Sequence, residues 1–380
     1  MRKVIVFLFF QVFLNIVTKG QCPSPSFIIN DTACQGAQIS FTNTSLNGTN
    51  FSWDFCTGDL LHPSYDTSSE SLNTLLQTPA GVVTISESGS EYVFVCSRDN
   101  GRLVRLEYGN GIENPSTGVT DLGNLSGTVG NPNGIAAFQE SGIWYLLLTD
   151  VFSGRVGLTA FGNGVSQAPT LNQIIINGGL SLPRSIKVFK EATDSIFAFV
   201  TNYTGNTLSV FSFGTSILNA PQLLYNIPIP NSNGLIALDI IKDCNHLFGV
   251  MCSYNSTDIA IADFGSSITS SLPTFTSMSA GPQRANDISI VSDGQHFFNV
   301  IASGFGVMIL QQFGSSLVSP VLEQSSQFSV ASNSISGSGM FKKKSKWYGL
   351  FPQEYGNVLS RLDGVTLRRK GRKGQEPRYQ

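Results

Sequence analysis

Polar side chains recur along this chain at intervals of about fifty residues. Asn133, Arg184, Asn233, Asn286 and Asn333 each stand two residues before an apolar run, and Arg284 lies beside the fourth of them. Ala80 holds the corresponding place in the first unit. An amide both donates and accepts hydrogen bonds, and a guanidinium presents a planar fork of donors. A ring of such groups at the mouth of a channel is suited to hold a polar ligand such as a glycan or a peptide. Asn also serves turns, above all before Gly as at Asn133-Gly134 and Asn233-Gly234. Arg184 and Arg284 have no comparable turn role.

Other chemistry is sparse. Asp54 with Asp59, and Asp239 with Asp243, are spaced as carboxylate pairs, although such spacing equally marks residues that cap turns. The three histidines, His62, His246 and His296, fall at different places in the repeat, so they do not point to one metal. No HExxH, GxSxG or P-loop pattern and no carboxylate-rich calcium loop occurs in the sequence. On these grounds no catalytic residue, metal or cofactor is expected.

The elements that must carry the polar ring are themselves repeated. An aromatic-Gly pair ends a strand at Tyr108-Gly109, Phe161-Gly162, Phe213-Gly214, Phe264-Gly265 and Phe313-Gly314. A Pro follows each, at Pro115, Pro169, Pro221, Pro273 and Pro320. Each pair is preceded by three apolar strand patterns, as in Ile135–Phe138, Trp144–Thr149 and Arg155–Phe161. A fourth pattern follows the Pro, as in Leu171–Ile176. A fifty-residue unit of four strands predicts an all-β chain folded as a β-propeller. The count predicts six blades, with seven as the alternative. The last unit lacks its fourth strand and carries Asp363-Gly364 where the aromatic pair belongs. Leu72–Thr78, ahead of the first unit, is predicted to supply the missing strand and close the ring, which removes an exposed sheet edge. The propeller is thus expected over residues 72–366, followed by a basic tail at 367–380.

Residues 1–21 read as an export signal. Arg2 and Lys3 precede an apolar run from Val4 to Val17, with small residues before a cut at Gln21. An extracellular or cell-surface location is expected. The net charge of −2 divides unevenly, with eleven Lys/Arg against three Asp/Glu from Phe341 onward. The remaining body is acidic, which argues against nucleic acid as a partner. An exported chain can form disulfides, and Cys22, Cys34 and Cys56 are the candidates for a bridge in the N-terminal segment. Cys96 and Cys252 lie in apolar strands and read as buried thiols. Seven Asn-x-Ser/Thr sites match what a chain this rich in Asn, Ser and Thr yields by chance.

Residues 22–71 read differently. Phe41-Thr42-Asn43-Thr44-Ser45 followed by Ser52-Trp53-Asp54-Phe55 resembles PKD-type immunoglobulin-like modules, with Cys56-Thr57-Gly58-Asp59 in place of the usual Gly-Asp-Gly turn. With the Phe-Gly-Ser-Ser pairs at Phe264 and Phe313 and with Trp347-Tyr348-Gly349-Leu350, the chain resembles secreted propeller proteins of Bacteroidetes type, the PKD-domain or gliding-motility-associated group. The resemblance implies an exported surface protein and supplies no catalytic residue. The expectation is therefore a non-enzymatic binding propeller recognising a glycan, polymer or protein through one face. A propeller-type hydrolase or lyase and a structural spacer in a surface assembly are the alternatives. The enzyme alternative requires a metal or a close carboxylate pair in the channel.

Overall fold

The computed structural model describes residues 26–28, 42–46, 64–72, 75–279, 281–293, 296–329, 334–343, 346–354 and 358–366. The export segment 1–21, Cys22, Cys34, Cys56, Asp54, Asp59, His62, Asn333 and the basic tail lie outside the described residues. The chain divides into two compact units, residues 1–53 and 54–380. In the first, β1 (Phe27–Ile28) pairs antiparallel with β2 (Thr42–Asn43), and Ser26, Thr44 and Ser45 hydrogen-bond alongside.

The second unit is a six-bladed β-propeller, all-β among the described residues. Its first strand, β3 (Ser64–Ser71), waits for the end of the chain to find its partner. Blade one is β4 (Pro79–Glu87), β5 (Ser90–Ser97), β6 (Arg102–Glu107) and β7 (Gly118–Asp121). Blade two is β8 (Pro132–Glu140), β9 (Ile143–Asp150), β10 (Arg155–Phe161) and β11 (Leu171–Asn177). Blade three is β12 (Pro183–Lys190), β13 (Ile196–Asn202), β14 (Thr207–Gly214) and β15 (Gln222–Pro228). Blade four is β16 (Leu235–Asp243), β17 (His246–Ser253), β18 (Asp258–Asp263) and β19 (Thr274–Ser279). Blade five is β20 (Ala285–Ser292), β21 (Phe297–Ser303), β22 (Val307–Phe313) and β23 (Leu322–Ser329). Blade six is β24 (Gly339–Lys343), β25 (Lys346–Gln353), β26 (Val358–Thr366) and, from the far end of the chain, β3.

Circular closure is thus as the incomplete last unit requires, but the closing strand is Ser64–Ser71 rather than Leu72–Thr78. An outermost strand gains most of its hold from backbone pairing, so a run of Ser, Thr, Asp and Glu can serve. The apolar residues that drew the prediction downstream form the turn into blade one, where Leu75 and Leu76 both donate to the Leu72 carbonyl. Leu76 is buried there against Val93 and Val104.

The repeated aromatic packs between blades. Phe161 of blade two meets Phe94 of blade one at 5.4 Å between ring centroids, and Phe264 of blade four meets Phe199 of blade three at 5.1 Å. The aliphatic residue four positions after each aromatic, Ile112, Val165, Ile217, Ile268 or Leu317, is buried in the same seam. Gly265 has φ of 67°, a conformation that costs a side chain but not a glycine.

An acid at the end of an inner strand ties four of the seams from the other side. Glu87 accepts from Val165 N at 2.8 Å, Glu140 from Ile217 N at 3.3 Å, Glu191 from Ile268 N at 2.7 Å and Asp243 from Leu317 N at 2.8 Å. Asp243 therefore caps a loop of the next blade and does not pair with Asp239.

Candidate functional site

The innermost strands β4, β8, β12, β16, β20 and β24 line the central channel, and their irregularities decide which side chains face it. In five of them the register with the next strand slips near the entry end: between Pro79 and Val82, Pro132 and Ile135, Pro183 and Ile186, Leu235 and Ala237, and Ala285 and Asp287. In the sixth, Ile335 opposite Gln353 marks the same point. The slip brings neighbouring blades together at their backbones. A side chain at Gly134 would collide with the Arg184 carbonyl of the next blade.

Counted from these slips, the ring of equivalent positions is Ala80, Asn133, Arg184, Ile236, Asn286 and Ser336. The last five line a narrow neck of about 30 Å³, room for water and little else. Asn133, Arg184 and Asn286 thus stand where the repeat spacing puts them. Asn233 does not. It falls three residues early, in the connection before β16, where it is exposed and its carbonyl accepts from Asn255 N at 3.0 Å. The apolar run there starts with Leu235, which occupies the place of Pro132 and Pro183, so counting back from it overshoots. Arg284 precedes the ring by two residues, with φ of 57°.

The polar groups of the neck are largely engaged with one another. Asn133 Nδ2 donates to the Arg184 carbonyl at 3.3 Å, and Arg184 Nη1 returns a bond to Asn133 Oδ1 at 3.2 Å. Asn286 Nδ2 donates to the Ile335 carbonyl at 2.7 Å and to Ser334 Oγ at 3.1 Å. Ser334 Oγ donates to Glu354 at 3.0 Å, and Glu354 pairs with Arg98 at 3.1 Å. Burial, then the nearby charge of Arg98, holds the Arg184 guanidinium below its ordinary pKa. These contacts staple blade to blade.

Beyond the neck the channel widens to a chamber of about 250 Å³ walled by all six inner strands. Its apolar side chains come from Val82, Ile135, Ala136, Val188, Met340 and Phe341. Three ionisable groups from three consecutive blades lie at its junction with the neck. Lys187 of blade three reaches both spaces and places Nζ 3.0 Å from Asp239 Oδ1 of blade four. Asp287 of blade five lines the neck, near enough for its charge to act on Lys187.

The two carboxylates sit in different surroundings. Asp239 takes Lys187 Nζ, Ile240 N at 2.9 Å and, from blade five, Ile290 N at 2.9 Å. Asp287 takes only backbone donors, Ile288 N at 2.9 Å and, from blade six, Ser338 N at 2.7 Å. Burial pushes the Asp287 carboxyl up to about 6, against the pull of Lys187 and the two N–H donors, and the Asp239 charge adds to the rise. Burial also acts to lower the Lys187 ammonium, but the facing charges of Asp239 and Asp287 outweigh it and raise its pKa. Side-chain exposure of 27% for Lys187 and 17% for Asp239 shows that these groups meet solvent, which the channel supplies.

Asp239 and Asp287 are two carboxylates near enough for the charge of one to act on the other, the kind of pair that the enzyme alternative looks for. Neither spacing nor motif marks it: Asp239 and Asp287 lie 48 residues apart, and only the slips at the strand entries turn them to the same wall. No group of three or more His, Cys, Asp or Glu suited to a metal occurs among the described residues. His246 pairs with Asp263 at 2.9 Å, outside the channel lining. Cys96 and Cys252 are buried free thiols whose pKa burial raises, and Cys244 is disulfide-bonded. No helix of the described residues is long and apolar enough to cross a membrane.

No protein-family model and no curated protein sequence matches the chain. Among solved structures, the PQQ-bound aldose sugar dehydrogenase of Streptomyces coelicolor is similar over 79% of this chain and 99% of its own, at 11% identity and a TM-score of 0.52. AofleA from Arthrobotrys oligospora is similar over 81% of this chain and 90% of its own, at 9% identity and a TM-score of 0.53. An α-L-arabinofuranosidase from Clostridium thermocellum is similar over 67% and 94%, at 10% identity and a TM-score of 0.46. At such identities the likeness is one of fold.

The expectation of a non-enzymatic binding module is corrected here. It rested on the lack of catalytic motifs in the sequence. The fold is nonetheless one that a sugar dehydrogenase uses. Inner strands of separate blades border one chamber, so side chains brought together there leave no contiguous motif. The lack of motifs therefore excludes nothing.

Proposed function

We propose that this chain is a hydrolase acting on a carbohydrate, with its reaction centre at Asp239, Asp287 and Lys187. One observation carries the reading: two carboxylates share a channel wall in environments that set them apart. Pairs of this kind divide acid and base roles between them. Asp287, whose carboxyl holds its proton up to about pH 6, is the proton donor. Asp239, held by Lys187, is the carboxylate. As the bond to the leaving oxygen breaks, Asp287 gives that oxygen its proton. Water then adds its oxygen to the sugar carbon and passes a proton to Asp239. Exchange with solvent restores both groups. The neck bordered by Asn133, Arg184 and Asn286 brings water to the Asp287 side of the chamber.

The choice of carbohydrate is supported by the aldose-acting dehydrogenase that shares the fold. The Arg2-Lys3 start with its apolar run, and the Ser52–Leu60 stretch that resembles PKD-type modules, support a place outside the cell. The test is hydrolysis of a panel of aryl glycosides and polysaccharides by the chain without residues 1–21. Cleavage of at least one substrate is expected, with a rate that falls as pH rises past about 6 and drops 10²–10⁴-fold in Asp287→Asn. No cleavage across the panel, or an Asp287→Asn variant as fast as the parent, overturns the reading.

A further inference from the structure

Four aromatic residues stand 51 residues apart in consecutive blades: Phe152, Tyr203, Tyr254 and Phe305. Each lies in the turn between the second and third strands of its blade, at the neck end of the propeller. Core packing accounts for the repeated aromatics of the seams, such as Phe161 and Phe264, which are buried. It does not account for these. Phe152 is 71% exposed and Phe305 60% exposed. Keeping a phenyl ring in water at the same turn of two blades serves no packing purpose.

Two arginines are set among the rings. Arg184 lies 5.2 Å from the Tyr203 ring centroid. Arg284 lies 5.4 Å from Tyr254 and 5.3 Å from Phe305, between two rings of adjoining blades, and its Nε donates to Tyr254 Oη at 2.8 Å. The local backbone explains the difference. The position before each inner strand is Gly234 in blade four, and Tyr203 lies so close over it that a side chain there would touch the phenol ring at 2.9 Å. In blade five the same position is Arg284, which rises between its neighbours instead. In blades one and six the matching turns carry Arg98 and Glu354, whose ion pair ends the arc.

We propose that this arc on blades two to five is a binding surface for a glycan chain. Each sugar ring offers an apolar face of C–H groups to an aromatic and a rim of hydroxyls to a guanidinium. The arc supplies both, with Arg184 beside Tyr203 and Arg284 between Tyr254 and Phe305. Nucleic acid bases also stack on such platforms, but they come with a phosphate backbone that an acidic propeller body repels. The surface uses residues other than those of the chamber and stands whatever reaction the chamber performs.

Native affinity electrophoresis of the chain without residues 1–21 tests it. Gels contain no polysaccharide, a neutral one (mixed-linkage β-glucan or galactan) or an anionic one (polygalacturonate). Retardation is expected in at least one polysaccharide gel. A Phe152→Ala/Phe305→Ala double variant and Arg284→Ala should each weaken the apparent affinity at least about tenfold, and Asp287→Asn should leave it within about twofold. The altered aromatics are exposed, so thermal melting at the parent's temperature shows that the double variant is folded. Migration unaffected by every polysaccharide overturns the proposal. So does equal retardation of the arc variants, or loss of retardation in Asp287→Asn alone. Specific capture of a protein by these rings with no polysaccharide bound also overturns it.

Discussion

Replacing Asp287 by Asn should make the protein more stable at neutral pH and less stable in acid. The carboxyl moves from an ordinary 3.8 to about 6 on folding, chiefly through burial. Between those values the folded chain keeps a proton that the unfolded chain gives up. Its stability therefore falls as pH rises from about 4 to about 6. A separation of about two pH units corresponds to about 3 kcal/mol, at 1.36 kcal/mol per unit. Asn removes that loss, because it never ionises. It also forfeits one of the two backbone donors, Ile288 N or Ser338 N, at a pH-independent cost of about 1 kcal/mol. The variant should thus be about 0.5 kcal/mol less stable near pH 4 and about 2 kcal/mol more stable near pH 7.5, with the curves crossing near pH 4.5. Guanidinium unfolding of both proteins between pH 4 and 8 measures the difference, in which the other carboxylates cancel. A difference that is flat with pH would refute the buried-acid reasoning. A variant that loses ground as pH rises would mean that Lys187 dominates, and that Asp287 is an ordinary ion-pair partner.

Two further outcomes test the scaffold. Phe264→Ala empties a fully buried ring site between blades three and four, and should lower stability by about 3–5 kcal/mol in chemical denaturation. A loss under 1 kcal/mol would place the aromatic outside the seam. Cys96 and Cys252 should stay unmodified by iodoacetamide in the native protein at pH 7.5 and react once it is unfolded, since burial keeps both as thiols. Mass spectrometry locates the label, and rapid native alkylation of either would contradict its burial.

The scaffold was legible because its cause is local and repeated. Phe161, Phe213, Phe264 and Phe313 fill equivalent seams, and each seam imposes the same aromatic, the same Gly and the same aliphatic four residues on. The strand patterns of blade two, for example, fall within β8 to β11. The closing strand was misplaced by about one strand length for the opposite reason. Ser64–Ser71 is held by pairing with β26, and backbone pairing leaves no apolar signature. The acid staples were equally regular, with Glu87, Glu140, Glu191 and Asp243 about 52 residues apart, yet a lone acid at a turn does not announce a partner 74 to 78 residues away. In the polar ring, Asn133, Arg184 and Asn286 could be counted forward from the repeat. Asn233 could not, because the slip in β16 leaves Leu235 in a place where other blades have Pro.

The chamber cluster was illegible for a reason that bears on what the protein does. A scaffold residue is copied from blade to blade because each blade meets the same neighbour. Lys187, Asp239 and Asp287 are not copies. Lys187 and Asp239 share one register position, held elsewhere by Val83, Ala136, Ser289 and Gly339, and Asp287 holds another, filled elsewhere by Gly81, Gly134, Ser185, Ala237 and Gly337, and so no period reports them. Their charges oppose packing as well. Burial raises Asp287 and works against the Lys187 ammonium, and each offsets part of the other's cost only because three different blades bring them to one wall. Apolar residues of similar size would hold that wall at no such cost. Each carboxylate does bind the next blade, but other seams use neutral donors: Thr149 of blade two reaches the Arg184 carbonyl at 2.8 Å, and Ser336, ahead of β24, reaches the Pro79 carbonyl of blade one. Stapling therefore does not require charge at this depth. A broken repeat, an unfavourable charge and an open channel coincide at Asp287, and that coincidence, rather than the repeat, is where the chemistry of this propeller is sought.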